Sequence, residues 1–376
     1  MLIFSIHALA LCSLFYVIFA ILRVLAFARR TWPATAPTPP VSILKPVCGM
    51  DEELYENLRS FCEQDYPLYQ VIFGVSDPDD PALPVIEKLI RAYPEKDLSV
   101  VINQRLIGMN RKVSNLANIH EEAKYGVLAI ADSDMHVGPD YLRTVVAPFQ
   151  DPQVGVVTCL YSGTARRGLA SSLGAAFINE WFLPSVLVAL SFAPIRFCFG
   201  SSMVVRRDLL EHIGGLARLA PLLADDYMLG KLISDAGYKV HLSPYVVENI
   251  VHEPGFRDLF LHELRWAKTI FTVQPLGYSL SFVTYTIPMS LLFLAVAPPG
   301  YSVDVVAVAA ILLRLLMHYS VRYSLGIKTP ARPWLVPFRD ILSFAVWATS
   351  FFYKNVHWRQ HTFSVEGNGQ LVTEES

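Results

Sequence analysis

The stretch Val127-Leu128-Ala129-Ile130-Ala131-Asp132-Ser133-Asp134 decides the fold. Five apolar residues in a row, with no alternation, suit a strand covered by helices on both faces. Working outward, similar short apolar runs lie at 41–44, 70–75, 98–102 and 154–160, and helical patterns fall between them at 52–63 and 82–92. Strands alternating with helices predict an α/β domain with a largely parallel sheet over residues 41–275. Ligands in such sheets bind beyond the carboxyl ends of the strands, where Asp132 and Asp134 fall. Two carboxylates spaced i, i+2 suit one hard divalent cation, Mg²⁺ or Mn²⁺, bridging to a substrate phosphate. A D-x-D also occurs by chance in many loops; its place after an apolar strand is what gives it weight.

The rest of the chain is greasier. Of 376 residues, 53% are hydrophobic and only 17% charged, with a mean hydropathy of +0.38. That composition excludes general disorder and argues against a wholly soluble domain. Residues 2–22 hold no Asp, Glu, Lys or Arg, and such a helix spans about 30 Å, one bilayer core. Arg23, Arg29 and Arg30 follow it, so residues 1–28 read as an uncleaved anchor whose C-terminal end is cytoplasmic. Residues 29–40 form a proline-rich linker. Residues 276–353 read as C-terminal membrane helices, two spans and a shorter third, with a basic loop on the cytoplasmic side, followed by a tail at 354–376. Residues 182–195 are apolar but bracketed by Pro184 and Pro194. They are too short to cross and read as an interfacial segment. The net charge of −2 offers no basic face for nucleic acid. The five scattered cysteines define neither a disulfide framework nor a zinc site.

Three further motifs carry polar chemistry. Val75-Ser76-Asp77-Pro78-Asp79-Asp80 follows a strand, so Asp77 can meet a nucleotide base or ribose, although Asp and Pro also suit a helix start. Leu223-Ala224-Asp225-Asp226-Tyr227 opens a helix. Its acids either complement the helix dipole or use that dipole to stay ionised as a general base. His262-Glu263-Leu264-Arg265-Trp266 joins a phosphate-clamping arginine to a flat indole, a pair equally at home in an interfacial belt. Lys45 and Lys112 lie where they can approach a diphosphate, or are solvated surface lysines. No HExxH, GxSxG, Walker A or GxGxxG pattern occurs.

Taken in order, Asp77, Asp132-Ser133-Asp134, Asp225-Asp226 and Arg265-Trp266 resemble the D, D, D, (Q/R)xxRW signature of family 2-like inverting glycosyltransferases. Leu44-Lys45-Pro46, Asp79-Asp80-Pro81-Ala82, Lys112-Val113-Ser114-Asn115-Leu116 and Asp226-Tyr227 are similar to segments of the ceramide glucosyltransferase family. The segments 56–67, 156–161 and 262–266 most resemble the bacterial hopanoid-biosynthesis glycosyltransferases. His262 stands where the wider signature has Gln or Arg, and Cys48 where ceramide enzymes tend to carry a basic residue. Both departures point away from a eukaryotic-type ceramide acceptor.

The resemblance implies a GT-A nucleotide-diphospho-sugar fold flanked by transmembrane helices, in a bacterial inner membrane with the catalytic domain facing the cytoplasm. It implies transfer from a UDP-sugar, UDP-GlcNAc first, to the hydroxyl of a membrane lipid, bacteriohopanetetrol first. Ceramide glucosylation from UDP-glucose is the alternative. Asp226 would be the base. Asp77, Lys112, Asp132 and Arg265 would hold the donor, Asp132 and Asp134 the Mg²⁺ or Mn²⁺, and Trp266 and Asp225 would contact acceptor or product. A processive polysaccharide synthase, which usually needs more spans, and a non-catalytic scaffold or lipid carrier are the competing readings.

Overall fold

The computed structural model describes residues 2–31, 37–297, 303–352, 355–358, 361–365 and 371–373. The stretch at 127 is a strand, and it lies inside an eight-stranded sheet. In chain order the strands are β1 (Val41–Val47), β2 (Tyr69–Val75), β3 (Leu98–Ile102), β4 (Val127–Ile130), β5 (Met135–His136), β6 (Val154–Ala165), β7 (Met203–Arg206) and β8 (Lys239–Val251). Their order across the sheet is β3-β2-β1-β4-β7-β6-β8-β5. The first four are parallel neighbours.

Beyond β4 the sheet departs from the expected parallel pattern. β7 runs antiparallel between β4 and β6, β8 pairs parallel with β6, and β5 runs antiparallel to β8. The sheet is therefore mixed. Strands β5, β7 and β8 were not foreseen. β5 and β7 are too short for periodicity to show, and β8 carries Pro244 and Glu248 within a half-buried pattern.

Alternation along the strands builds two cores. Ile43, Phe73, Ala129 and Val204 face one layer, with Leu58 and Phe61 of helix Leu54–Cys62 and Leu89 of helix Leu83–Ala92. Leu44, Ile72, Leu128 and Val205 face the other, with Leu116 and Ile119 of helix Arg111–His120 and Leu229 and Ile233 of helix Asp225–Asp235. A strand apolar on both faces is thus covered on both faces. Asp132, just past β4, emerges where both cores end.

Among the described residues three helices are long and apolar enough to cross a membrane: Ser5–Ala28, Leu169–Ala189 and Val303–Ser324. The first and third pack together with helix Leu183–Ala189 around Val17, Val24, Leu187 and Met317. The first of the spans expected within 276–353 is instead two pieces, Pro275–Thr284 and Thr286–Val296, bent by 64° at Tyr285. The second piece starts afresh, and Pro288 falls in its first turn, where a missing N–H is tolerated. Helix Leu335–Ser350 is the shorter third.

Residues 182–195 continue a longer helical path: helix Leu169–Phe177, a π-turn at Ile178–Phe182, then Leu183–Ala189. Its flanks enter β6 and β7, which pair side by side. The tail holds a three-stranded antiparallel sheet at Asn355–Trp358, His361–Val365 and Leu371–Thr373.

Candidate active site

Asp132 follows β4, and one of its carboxylate oxygens, Oδ1, lies 2.6 Å from Lys112 Nζ. Lys112 sits in the first turn of helix Arg111–His120, which Asn110 caps by accepting from Val113 N–H at 3.1 Å. The same Asn110 amide donates to Leu222 O and, at 3.1 Å, to Asp225 Oδ1. One asparagine therefore sets both the helix bearing Lys112 and the turn bearing Asp225. Lys112 Nζ lies 4.0 Å from Asp225 Oδ2. Burial opposes the charge on Lys112, but Asp132 and Asp225 outweigh it and raise its pKa.

Asp226 is held by two N–H donors: Gly200 to Oδ2 and Tyr227 to Oδ1, each at 2.7 Å. Burial first, and then the charge of Asp225, push its pKa up to about 6, against the pull of Lys112 and the two N–H groups. A carboxylate poised near neutrality and still ionised at pH 7 suits a general base. These acids are thus engaged in a buried cluster, not solvated ornaments of a helix end.

Two glycines permit this approach. A Cβ on Gly200 would stand 3.2 Å from Asp226 Oδ2, 3.5 Å from Lys112 Nζ and 3.7 Å from Asp132 Oδ2. A Cβ on Gly230 would strike the Phe197 backbone at 2.5 Å, so only glycine lets helix Asp225–Asp235 close onto that segment. Nothing in the local pattern marks either glycine; their need arises from helices and a loop distant in sequence.

Asp134 accepts from Asn249 Nδ2 at 2.8 Å, and its backbone carbonyl accepts from Ile250 N–H, both on β8. Burial, then Asp132 and Asp51, push its pKa up to about 7. Asp51, which was not singled out, accepts from Ser133 Oγ at 2.5 Å. Two mutually repelling carboxylates two residues apart fit a divalent cation, which would relieve that repulsion. Among the described residues no group of three His, Cys, Asp or Glu side chains surrounds a metal position. Such an ion would therefore complete its ligands from elsewhere.

Lys45 is neither of the things expected of it. It is fully buried, its ammonium lies 3.8 Å from the Phe61 ring centroid and donates to the Asp132 backbone carbonyl. Burial drives its pKa down to about 7. It shapes the Asp132 turn from below and does not face solvent.

Asp77 is exposed past β2, on the same sheet edge as Asp132 but two strands away, and accepts from Asp79 N–H. Its neighbour Asp80 is structural: both carboxylate oxygens accept from Gly49 N–H, and Oδ1 also accepts from Ala82 N–H. Arg265 and Asp226 both act electrostatically on the half-buried Tyr161, whose pKa is raised by burial above all. Trp266 stacks on Phe177 at 5.7 Å and packs with Trp181 and Tyr285. The structure thus gathers Lys112, Asp132, Asp225 and Asp226 directly, with Asp134 behind. It leaves Asp77 at one rim and sets Trp266 in an aromatic wall.

Comparison with known proteins agrees with this fold. The profile of "Glycosyl transferase family 21" matches residues 3–371. Ceramide glucosyltransferase 3 of Caenorhabditis elegans is 24% identical over 89% of this chain and 74% of its own length. Ceramide glucosyltransferase 1 of the same organism is 25% identical over 72% of this chain, which spans 59% of that relative's length. A mannosyltransferase from Pyrobaculum calidifontis, solved with GDP-Man and Mn²⁺, superposes with a TM-score of 0.54 at 16% identity. That match covers 94% of this chain and 99% of the mannosyltransferase, and speaks to fold alone. The chain belongs to glycosyl transferase family 21 and is a glycosyltransferase with a GT-A-like fold. The scaffold reading falls with that result, and the relatives favour the ceramide alternative over the hopanoid one.

Proposed function

We propose that this family 21 enzyme moves one sugar from a nucleotide-diphospho-sugar to the hydroxyl of a membrane lipid with inversion, glucose from UDP-glucose onto a ceramide-like acceptor ranking first. The observation that carries the reading is the Lys112 bridge: one ammonium ties Asp132, at the end of β4, to the Asp225–Asp226 pair that opens a helix. Donor-holding and proton-accepting groups thereby lie side by side. Asp226 takes the proton of the lipid hydroxyl. The hydroxyl oxygen bonds to the anomeric carbon while the bond from that carbon to the diphosphate oxygen breaks on the opposite face. The nucleoside diphosphate leaves with the electron pair. A Mg²⁺ or Mn²⁺ at Asp132 and Asp134, sharing the donor's phosphates, would supply charge neutralisation for that leaving group. Lys112 and Arg265 would add positive charge beside it, Asp77 would meet the nucleoside, and Trp266 and Asp225 would border the acceptor.

A two-chain lipid would expose tens of methylenes, each costing about 0.8 kcal/mol, if it had to enter water. Helices that reach the bilayer and an apolar segment at 182–195 lying on its cytoplasmic face avoid that cost. The test uses the full chain in lipid nanodiscs with Mg²⁺, UDP-glucose and UDP-GlcNAc, offering ceramide and bacteriohopanetetrol in parallel and weighing the lipids. A hexose on ceramide, absent with Asp226→Asn, supports the reading. A hexosamine on the hopanoid moves donor and acceptor to the second branch, which the His262 and Cys48 departures favour. A ladder of products would make the enzyme a polymerase. No mass gain on either lipid overturns the proposed acceptors.

A further inference from the structure

A second polar feature lies apart from the carboxylate site. A small cleft of about 50 Å³ is lined by Gly163 of β6, Asn179 and Glu180 of the π-turn, His318 and Arg322 of helix Val303–Ser324, and Arg332. None of Asp132, Asp226, Arg265 or Trp266 lines it. π-turns inside α-helices recur at functional positions. This one rolls Glu180 into the cleft, where only 4% of the residue stays exposed.

The polar groups there are only half used. Glu180 Oε1 meets His318 Nδ1 at 2.6 Å, and Arg314 Nη1 donates to the Glu180 carbonyl at 3.1 Å. Glu180 Oε2 and His318 Nε2 remain buried without a hydrogen-bond partner among the described residues. Arg322 donates to Ile327 O, and Arg332 to Ser172 Oγ, yet neither guanidinium pairs with a carboxylate among the described residues. Orphaned polar atoms at such depth are costly unless a ligand satisfies them.

The chemistry of that ligand follows from the signs. With the imidazole proton on Nδ1, facing Glu180, both orphaned atoms are acceptors, so the ligand must donate. The two arginines demand oxygens that accept. A phosphate would set its charge against Glu180 Oε2, and an ammonium would meet the guanidinium groups. A neutral head bearing hydroxyl or amide groups satisfies both ends. Leu316, Tyr319 and Tyr323 on the same helix are exposed, an apolar surface along which a lipid tail can lie. One aromatic wall joins the cleft to the base. Phe182 ends the π-turn 4.9 Å from Tyr161 and 5.6 Å from Phe199, and Gly200, next to Phe199, holds Asp226.

We propose that this cleft is a headgroup subsite for the unreacting hydroxyl and amide groups of a neutral, hydroxylated amphiphile. Glu180 and His318 accept its hydrogen bonds, and Arg322 and Arg332 donate to its oxygens. The identification of that amphiphile with the acceptor rests on the lipid-transfer reading above.

The test measures equilibrium binding of a fluorescent short-chain ceramide, and of the same probe with its hydroxyls O-methylated, to the full chain in detergent micelles. Arg322→Gln with Arg332→Gln, half-buried changes at the rim, and Glu180→Gln at the floor are compared with wild type, with thermal unfolding as a check on folding. The expected result is a Kd at least tenfold weaker for the rim double variant and for the O-methylated probe, with UDP binding unchanged. Wild-type affinity in the rim variant overturns the subsite, as does equal affinity for both probes or no binding by wild type. Tight, hydroxyl-dependent binding without any sugar transfer would sink the proposed reaction and leave the subsite standing. Transfer with unchanged acceptor KM in the rim variant would do the reverse.

Discussion

Two regions of this molecule handle buried charge in opposite ways. Between the apolar helices two buried acids each meet an arginine. Glu263 grips Arg339 through two bonds of 2.7 Å, and Arg314 meets Asp340 at 3.0 Å. Arg339 is wholly buried, and Asp340 also accepts from Ile287 N–H. At the end of β4 the balance is broken: Asp132, Asp225 and Asp226 crowd around Lys112, with Asp134 behind and Lys45 sunk beneath, its charge weakened by burial. Matched charges fasten elements together, whereas surplus negative charge is a place prepared for an incoming cation or a proton. The carboxyl groups of Asp134 and Asp226, pushed up to about 7 and about 6, register that surplus.

The contrast makes separable predictions. The largest effect belongs to the site: Asp226→Asn should lower sugar transfer by about 10²–10⁴-fold with the unfolding transition unmoved, read by product mass and by melting in detergent. A variant that loses transfer and stability together would show that this acid fastens as well as reacts. In the matched region, Glu263→Ala should cost about 3–5 kcal/mol of stability by stranding Arg339. Glu263→Leu with Arg339→Met should return most of it. If the single change proves silent in a denaturant titration, the pair is not the fastening described here.

Gly200→Ala should cut transfer by up to about a hundredfold, because the added methyl presses on Asp226 and the base shifts from its line of attack. Unchanged kcat would mean that the loop yields. The gentlest test is pH. The base must be ionised, so kcat/KM should hold above pH 6 and fall about tenfold per unit below the Asp226 pKa of about 6. Asp226→Glu should move that limb, and a limb that stays put would assign it elsewhere.

Sequence reading reached different depths in the two regions. The run at 127–131 announced a strand covered on both faces because burial on two sides erases alternation, and Asp132, Asp134, Asp225 and Asp226 stood out beside predicted elements. Their partners did not. Asn110, Gly200 and Asn249 act on acids far along the chain, and only the mixed half of the sheet brings them together. Lys45 was misread because a lysine in an apolar strand offers no sign of the Phe61 ring that receives it. Glu180 and His318 were invisible as a pair: one sits in a π-turn, whose slip of register defeats a 3.6-residue pattern, the other on a membrane-length helix. Likewise, unbroken hydropathy at 278–297 conceals a bend that geometry reveals at Tyr285.

The parallel pairing of β6 with β8 has a consequence in time. During synthesis β6 emerges early, but its neighbours β7 and β8 follow only after the apolar helix Leu169–Ala189. Until residues 203–206 emerge, both edges of this long strand are open with an apolar helix dangling from its end, and the edge that β8 closes waits for residues 239–251. Such late-closing contacts are slow to form and prone to wrong partners. The nascent chain therefore carries that apolar helix uncovered while the edge waits.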